Sequence, residues 1–162
     1  MFVFRCTRKL LTRLGEPAAD VVPGLSTTTL GDWYADILVT ARQHVVLCVS
    51  EHARVPVVIP ARELKTLAAR LPEALAQVLA DLAVPSKSIA RELTEMGAAQ
   101  FAKTASRSLL GTMNDYALPV TWALAEEPGL SLHRLSVQLT NTPVGPMKHD
   151  RPADVARLLL SR

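Results

Sequence analysis

The pattern of apolar and polar positions divides the chain into a strand-rich first part and a helix-rich second part. Up to residue 60, short apolar and β-branched runs are separated by polar gaps of about four residues, which is typical of antiparallel hairpins. From residue 61 onward, apolar residues recur at three- and four-residue spacing, which is typical of helices packed on one side. The pattern therefore predicts an α+β fold.

Four runs are predicted strands, and the last three follow one another as a meander: residues 2–6, 33–40, 45–50 and 55–59. Pro56 lies inside the last run, and because proline cannot donate to a strand ladder, we expect this strand at a sheet edge. We expect the first strand to join the meander, because a three-stranded sheet leaves two open edges. The result is a small antiparallel sheet of about four strands. An irregular connection is predicted over residues 16–29, which carry two prolines and a glycine.

Four to five helices are predicted to cover this sheet. Thr7 is a candidate N-cap, and Gly15 a stop, for the first of them. A second is expected to begin at Pro72, because proline favours the first helical turn. Two more are predicted over residues 86–96 and from Ser106 to the proline at position 119, which should break or kink the helix.

Three segments complete the chain. A last amphipathic helix is predicted to follow Asp150 or Arg151 and to run through Leu158 and Leu159. The segments 98–105 and 130–140 are harder to assign. The segment 98–105 matches neither the helical repeat of 3.6 residues nor the two-residue repeat of a strand. The segment 130–140 is compatible with a strand or a helix.

Composition indicates one domain over residues 1–162 with ample material for a core. Hydrophobic residues make up 49% and charged residues 20%, so no metal or disulfide is needed for stability. Cys6 and Cys48 lie in apolar runs without a Cys-x-x-Cys motif, and no histidine has metal-ligand spacing to another. We therefore expect two buried, reduced thiols, no metal site and no cofactor.

Net charge and hydropathy limit the classes of molecule that the protein is expected to bind. The net charge of +3 is compatible with nucleic acid, but the dense basic patch with interleaved aromatic residues that would support it is missing. No apolar run approaches the roughly 18–20 residues of a membrane span, and the N-terminus does not read as a signal peptide. We expect a cytoplasmic protein that does not insert into a membrane, with an anionic small molecule or a protein as its partner.

The segment 103–115 brings polar groups of different chemistry together. Lys103, Arg107, Gly111 and Asn114 follow at spacings that place them on one side of a helix, and Asp115 adjoins them. Lysine and arginine can bind an anion, and the amide and carboxylate can orient it. The same row is also compatible with a capped surface helix whose glycine packs against the sheet.

A second candidate lies before the predicted second strand. Asp32 follows Gly31 at the strand entry, which would place a carboxylate at a sheet end, and Trp33 and Tyr34 carry polar groups that need partners. A turn aspartate followed by core aromatic residues is the alternative. If Asp32 and Asp115 met near Arg107, they would form a candidate catalytic pair.

The chain also resembles a bacterial family known only as a domain of unknown function. The resemblance is carried by Met1-Phe-Val-Phe-Arg-Cys-Thr-Arg-Lys-Leu-Leu, Leu30-Gly-Asp-Trp-Tyr-Ala, Leu47-Cys-Val-Ser-Glu, Pro60-Ala-Arg-Glu-Leu and Arg107-Ser-Leu-Leu-Gly-Thr-Met-Asn-Asp. It extends over nearly the whole chain, which implies one self-contained domain and a prokaryotic source. The family has no established activity, so the resemblance assigns no role to any residue.

Two classes of function remain open. The first is a binding or regulatory module that uses Lys103, Arg107, Asn114, Asp115 and Trp33 around a ligand. The second is a small enzyme acting on a phosphate-bearing or other anionic substrate through Asp32 and Asp115 together with the two cations. We favour the first, because the sequence shows no nucleophile–base pair and no metal cluster.

Overall fold

A computed structural model of the protein describes residues 1–16, 22–148 and 150–162. These residues form five strands: β1 (Phe2–Cys6), β2 (Trp33–Val39), β3 (His44–Ser50), β4 (Pro56–Pro60) and β5 (Ala99–Lys103). They also form six helices: α1 (Arg8–Leu14), α2 (Leu67–Asp81), α3 (Ser86–Glu95), α4 (Arg107–Glu126), α5 (Leu132–Thr140) and α6 (Pro152–Leu160). The predicted α+β class is confirmed. Residues 17–21 of the predicted irregular connection, and position 149, lie outside the described residues.

The strands form one sheet in the order β4-β3-β2-β1-β5. The meander β2-β3-β4 is antiparallel and β4 lies at an edge, as the sequence predicts. The sheet is nevertheless mixed and has a fifth strand, because β1 runs parallel to both β2 and β5. The chain passes through α1 between β1 and β2, and through α2 and α3 between β4 and β5. These crossovers bring it back to the same end of the sheet, which parallel pairing requires.

The two ambiguous segments form a strand and a helix. Residues 99–103 contain no β-branched side chain, but pairing with β1 along five residues makes them a strand. Residues 132–140 form α5, whose N-cap Ser131 accepts a hydrogen bond from the backbone N–H of Arg134. α5 also covers the edge strand, because the N–H of Val58 donates to Ser136 Oγ at 2.9 Å.

Two helices contain a proline that was expected to begin or interrupt them. α2 begins at Leu67 and continues through Pro72, and α4 continues through Pro119 to Glu126. Each proline removes one backbone hydrogen bond, but the buried apolar stripe of each helix continues on both sides of it. The free energy gained by packing each helix against the sheet therefore outweighs the loss of one backbone hydrogen bond at its proline.

The sheet separates two apolar cores. Side chains of one face pack with α1, α2, α3 and α6, and those of the other face with α4 and α5. α1 follows its predicted boundaries, since Thr7 Oγ1 accepts from the N–H of Leu10 and Gly15 ends the helix at φ 71°. No helix among the described residues is both long and apolar enough to cross a membrane.

Candidate functional site

Polar side chains gather where β2 begins, between the end of β3 and the neighbouring strand β1. The turn into β2 requires Gly31, which has φ 79° and whose added Cβ would lie 2.8 Å from Glu51 Oε2. The turn sets Asp32 beside β1. We call the group formed by Arg5, Asp32, Tyr34, Glu51 and Arg54 the polar cluster.

Asp32 is engaged on both carboxylate oxygens. Arg5 Nε donates to Oδ2 at 2.6 Å, and Ser26 Oγ donates to Oδ1 at 2.6 Å. The backbone N–H of Asp32 donates to Glu51 at 3.0 Å. Arg5 Nη1 in turn donates to the backbone carbonyl of Lys103 at 3.0 Å. The Arg5–Asp32 ion pair therefore ties the start of β2 to the end of β5.

The remainder of the polar cluster faces the first turns of α4. Arg54 donates to Ser108 Oγ at 3.2 Å and to Thr112 Oγ1 at 3.3 Å, and its own carbonyl accepts from the Tyr116 hydroxyl. Burial raises the pKa of Tyr34 and of Tyr116, although Arg5 and Arg54 oppose the respective shifts. Both phenols therefore stay protonated at neutral pH. They act as structural hydrogen-bonding groups in this arrangement.

Glu92 anchors the approach to the polar cluster, and sequence reasoning missed it. This α3 carboxylate is 1% exposed and accepts from the backbone N–H groups of Thr29 and Leu30 at 2.7 and 2.9 Å. These bonds hold the loop that delivers Asp32. The sequence does carry a signal, because Glu92 lies beside the apolar stripe of α3, next to Leu93, where a solvated charge is unexpected.

The row predicted at residues 103–115 is not one helix face. Lys103 is the last residue of β5, and α4 begins at Arg107 after the N-cap Ser106. Arg107, Asn114 and Asp115 are all exposed on α4. Gly111 is exposed as well and does not pack against the sheet, since an added Cβ would meet nothing within 4 Å.

The two aspartates proposed as a pair occupy different environments. Asp32 is nine-tenths buried within the polar cluster, whereas Asp115 is exposed on the third turn of α4. Within the described residues, no hydrogen bond or ion pair joins Asp115 to Asp32 or to Arg107. The structure therefore connects Asp32, but not Asp115, to the end of β5, and it does so through Arg5.

Trp33, a predicted ligand contact, is fully buried in the core that contains α1. Among the described residues its indole Nε1 has no hydrogen-bond partner, contrary to the expectation that its polar group would be paired. Tyr34 is 2% exposed on the opposite face of the sheet. The pair matches the alternative of a turn aspartate followed by core aromatic residues.

A crevice lies between α1 and the carboxyl ends of β1 and β5. It encloses about 540 Å³ and is lined by Cys6, Arg8, Leu11, Thr12, Glu16, Lys103 and Thr104. The chain leaves β1 toward α1 on one face of the sheet and leaves β5 toward α4 on the other. Ligands of α/β sheets characteristically bind where neighbouring strands diverge in this way. We call this site the switch-point crevice.

The cysteine at the floor of the crevice is a neutral thiol. Burial, followed by the nearby carboxylates of Asp36 and Glu16, raises the pKa of Cys6 to about 12. Burial also raises the pKa of Cys48. Both thiols are free and buried, as predicted. They lie on strands two places apart, at opposite ends of one cross-strand row through Ala35, so their Cα atoms are too far apart for a disulfide.

Metal binding finds no support in the described parts of the chain, where no three His, Cys, Asp or Glu side chains are grouped to hold an ion. The charges lining the switch-point crevice are instead two cations, Arg8 and Lys103, and one carboxylate, Glu16. With Leu11 and the Cys6 thiol as apolar floor, the crevice suits an organic anion.

Comparison with known protein families matches residues 3–155 to a domain of unknown function, DUF6933. The match extends over nearly the whole chain, as the resemblance in the sequence implies. No curated protein and no solved structure matches the chain at a significant level. The chemistry of the site therefore has to be argued from the chain's own residues.

Proposed function

The chain belongs to the DUF6933 family, and we propose that it is a small binding module that holds an anionic ligand in the switch-point crevice. The observation that carries the proposal is the position of Arg8 and Lys103 on the walls of a crevice at the divergence of β1 and β5. The volume of about 540 Å³ is within the usual range for small-molecule sites.

The polar cluster supports this crevice rather than reacting in it. Arg5 bonds to the carbonyl of Lys103 and to Asp32, so it holds the end of β5, and with it one wall of the crevice, against β1 and β2. A ligand site needs such a rigid second layer to keep its contacts in place.

Binding is favoured over catalysis by the state of the candidate reactive groups. The Asp32 carboxylate accepts hydrogen bonds from Arg5 and Ser26 on its two oxygens and does not line the switch-point crevice, so it is not placed to act on a ligand there. The Cys6 thiol has its pKa raised to about 12, which makes it a poor nucleophile. The enzyme alternative, through Asp32 and Asp115 with Arg107 and Lys103, is the second hypothesis.

The test is a thermal-shift and calorimetry screen against inorganic phosphate, nucleotides, sugar phosphates and dicarboxylates. A ligand at 100 times its dissociation constant should stabilise the protein by about 2.7 kcal/mol. Arg8→Ala and Lys103→Ala should each weaken binding. The matched controls Arg42→Ala and Lys87→Ala, which remove exposed cations outside the crevice, should not.

Binding to a cationic crevice should also weaken as ionic strength rises. If the four variants bind a ligand equally well, the ligand does not occupy the crevice. Turnover of a phosphate ester that Asp32→Asn abolishes in a folded protein would instead support the enzyme hypothesis.

A further inference from the structure

The solvent-facing side of α4 carries large apolar side chains that the fold does not cover. Leu118 is 52% exposed and Trp122 is 60% exposed, on successive turns of the same side. We define the outer face of α4 by the exposed residues that share this side of the helix: Arg107, Gly111, Asn114, Asp115, Leu118 and Trp122.

Gly111 is a second, independent indication that another molecule packs against the outer face of α4. Glycine weakens a helix interior relative to alanine, so a mid-helix glycine usually has a packing reason. In this chain no atom lies within 4 Å of the position that its Cβ would occupy, so contacts within the fold supply no such reason. Its exposed, side-chain-free turn permits the close approach of another molecule.

The outer face is complementary to itself when it is reversed. On either side of the point between Asn114 and Asp115, Gly111 lies three positions before Asn114 and Leu118 three positions after Asp115. Arg107 lies seven positions before Asn114, and Trp122 seven positions after Asp115. A leucine therefore faces a glycine, and a cation faces an indole, when a second copy is laid antiparallel across the same point.

We propose that the outer face of α4 is a self-association surface, on which a second copy of the chain packs its own α4 antiparallel about a two-fold axis between Asn114 and Asp115. Leu118 of each copy fills the turn left open by Gly111 of the other. Arg107 of each copy stacks on Trp122 of the other, a favourable cation–π pairing. At the axis, the amide of Asn114 meets the carboxylate of Asp115, so unlike groups are paired. Such an interface is isologous, as in most homodimers.

The area of the outer face of α4 determines how strongly two copies are expected to associate. A helix of 20 residues is about 30 Å long. A single helix pair of that length buries less than the roughly 800 Å² per partner of a standard interface. We therefore expect a reversible dimer with a micromolar dissociation constant. The proposal is independent of the switch-point crevice, which does not include residues of α4.

The first test is sedimentation velocity without ligand, from low micromolar to several hundred micromolar protein. We expect a monomer–dimer equilibrium that Trp122→Ala weakens at least about tenfold, because aromatic residues, tryptophan above all, contribute most of the binding energy of interfaces. Leu118→Ala should weaken it as well. The matched control for Leu118→Ala is Leu158→Ala, which truncates a similarly exposed leucine on α6 and should leave the monomer–dimer equilibrium unchanged.

Gly111→Gln separates association from folding. Glutamine favours a helix over glycine, so this variant should be folded at least as stably as the parent while its larger side chain blocks the second copy. The proposal would be overturned if the parent protein were a monomer at all concentrations. It would also be overturned if the Trp122→Ala and Gly111→Gln variants dimerised as strongly as the parent protein. Capture of a different protein by a monomeric chain would likewise assign the face to another partner.

Cross-linking tests the antiparallel register. Asn114→Cys places a thiol beside the proposed axis, whereas Glu126→Cys places one about 17 Å away along the helix, on opposite sides in the two copies. The native cysteines are buried and should not compete. A short bis-maleimide should link the first variant and not the second. Linkage of both variants to the same extent contradicts this register.

Discussion

Two segments of the chain combine a glycine with an aspartate, and they lie in opposite environments. In the segment 31–34, Gly31 turns the chain at a positive φ and Asp32 accepts hydrogen bonds from Arg5 and Ser26. In the segment 111–115, the glycine and the aspartate both face solvent on α4. A tryptophan accompanies each segment, Trp33 fully buried and Trp122 mostly exposed.

The difference comes from what is packed around each segment. The first lies where three strands, α3 and the β3–β4 turn converge, so each of its polar groups is either paired or buried. The second lies on a helix whose other side already contacts the sheet, so its exposed residues Gly111, Asn114 and Asp115 face solvent. Matched substitutions at the two segments should therefore have unequal effects on the free energy of unfolding.

The largest difference is expected between the tryptophans. Trp33→Ala should destabilise the protein by about 3–5 kcal/mol, because removal of the fully buried indole leaves a large cavity in the core. Trp122→Ala should change stability by less than about 0.5 kcal/mol. Chemical denaturation at low protein concentration, where self-association does not contribute, measures both. Similar losses would mean that Trp122 packs within the monomer.

The aspartates should differ next. Asp32→Asn should cost about 1–3 kcal/mol, because it leaves the largely buried Arg5 guanidinium without its carboxylate partner. Asp115→Asn, on the exposed turn, should be close to neutral. Urea titrations of both variants give the comparison. Equal stabilities would show that the Arg5–Asp32 pair contributes nothing to the end of the sheet.

The glycines should show the smallest effects, with opposite signs. Gly31→Ala should destabilise by about 1–2 kcal/mol, since alanine is strained at φ 79° and its Cβ would crowd Glu51 and His52. Gly111→Ala should stabilise by about 0.5–1 kcal/mol, since the space around it is open and alanine favours the helix. Thermal melts of the monomer suffice. A loss of stability in Gly111→Ala would point to a contact inside the fold.

Much of the secondary structure could be predicted because its determinants are local. Thr7 and Gly15 bound α1 through a cap hydrogen bond and a left-handed residue, both of which involve neighbours in the sequence. Ser106 caps α4 in the same way. β5 was left unassigned and α2 was expected to begin only at Pro72, because cross-sheet pairing and burial of a whole helix outweigh the local preferences of a few residues.

The candidate site was predictable only in its parts. The sequence marked Asp32 as a carboxylate at a strand entry and Lys103 as a cation near a helix start, and Arg5 bonds to the carboxylate of the first and to the backbone carbonyl of the second. It did not reveal Arg5 as the link between them or Glu92 as the anchor of the loop. Those contacts join residues 27 to 98 positions apart, and spacing along the chain carries no information about them.

By itself the sequence determined the α+β class, the meander with β4 at its edge, the buried free thiols and the membership of the DUF6933 family. The first three follow from composition, periodicity and turn chemistry, which act over a few residues, and the family membership follows from a match over residues 3–155. The tertiary structure alone decided that β1 pairs in parallel with β2 and β5, and that α1 and α4 leave adjacent strands toward opposite faces. That divergence creates the switch-point crevice. It also leaves one side of α4 uncovered, because a helix that covers one face of a sheet keeps its other side in solvent.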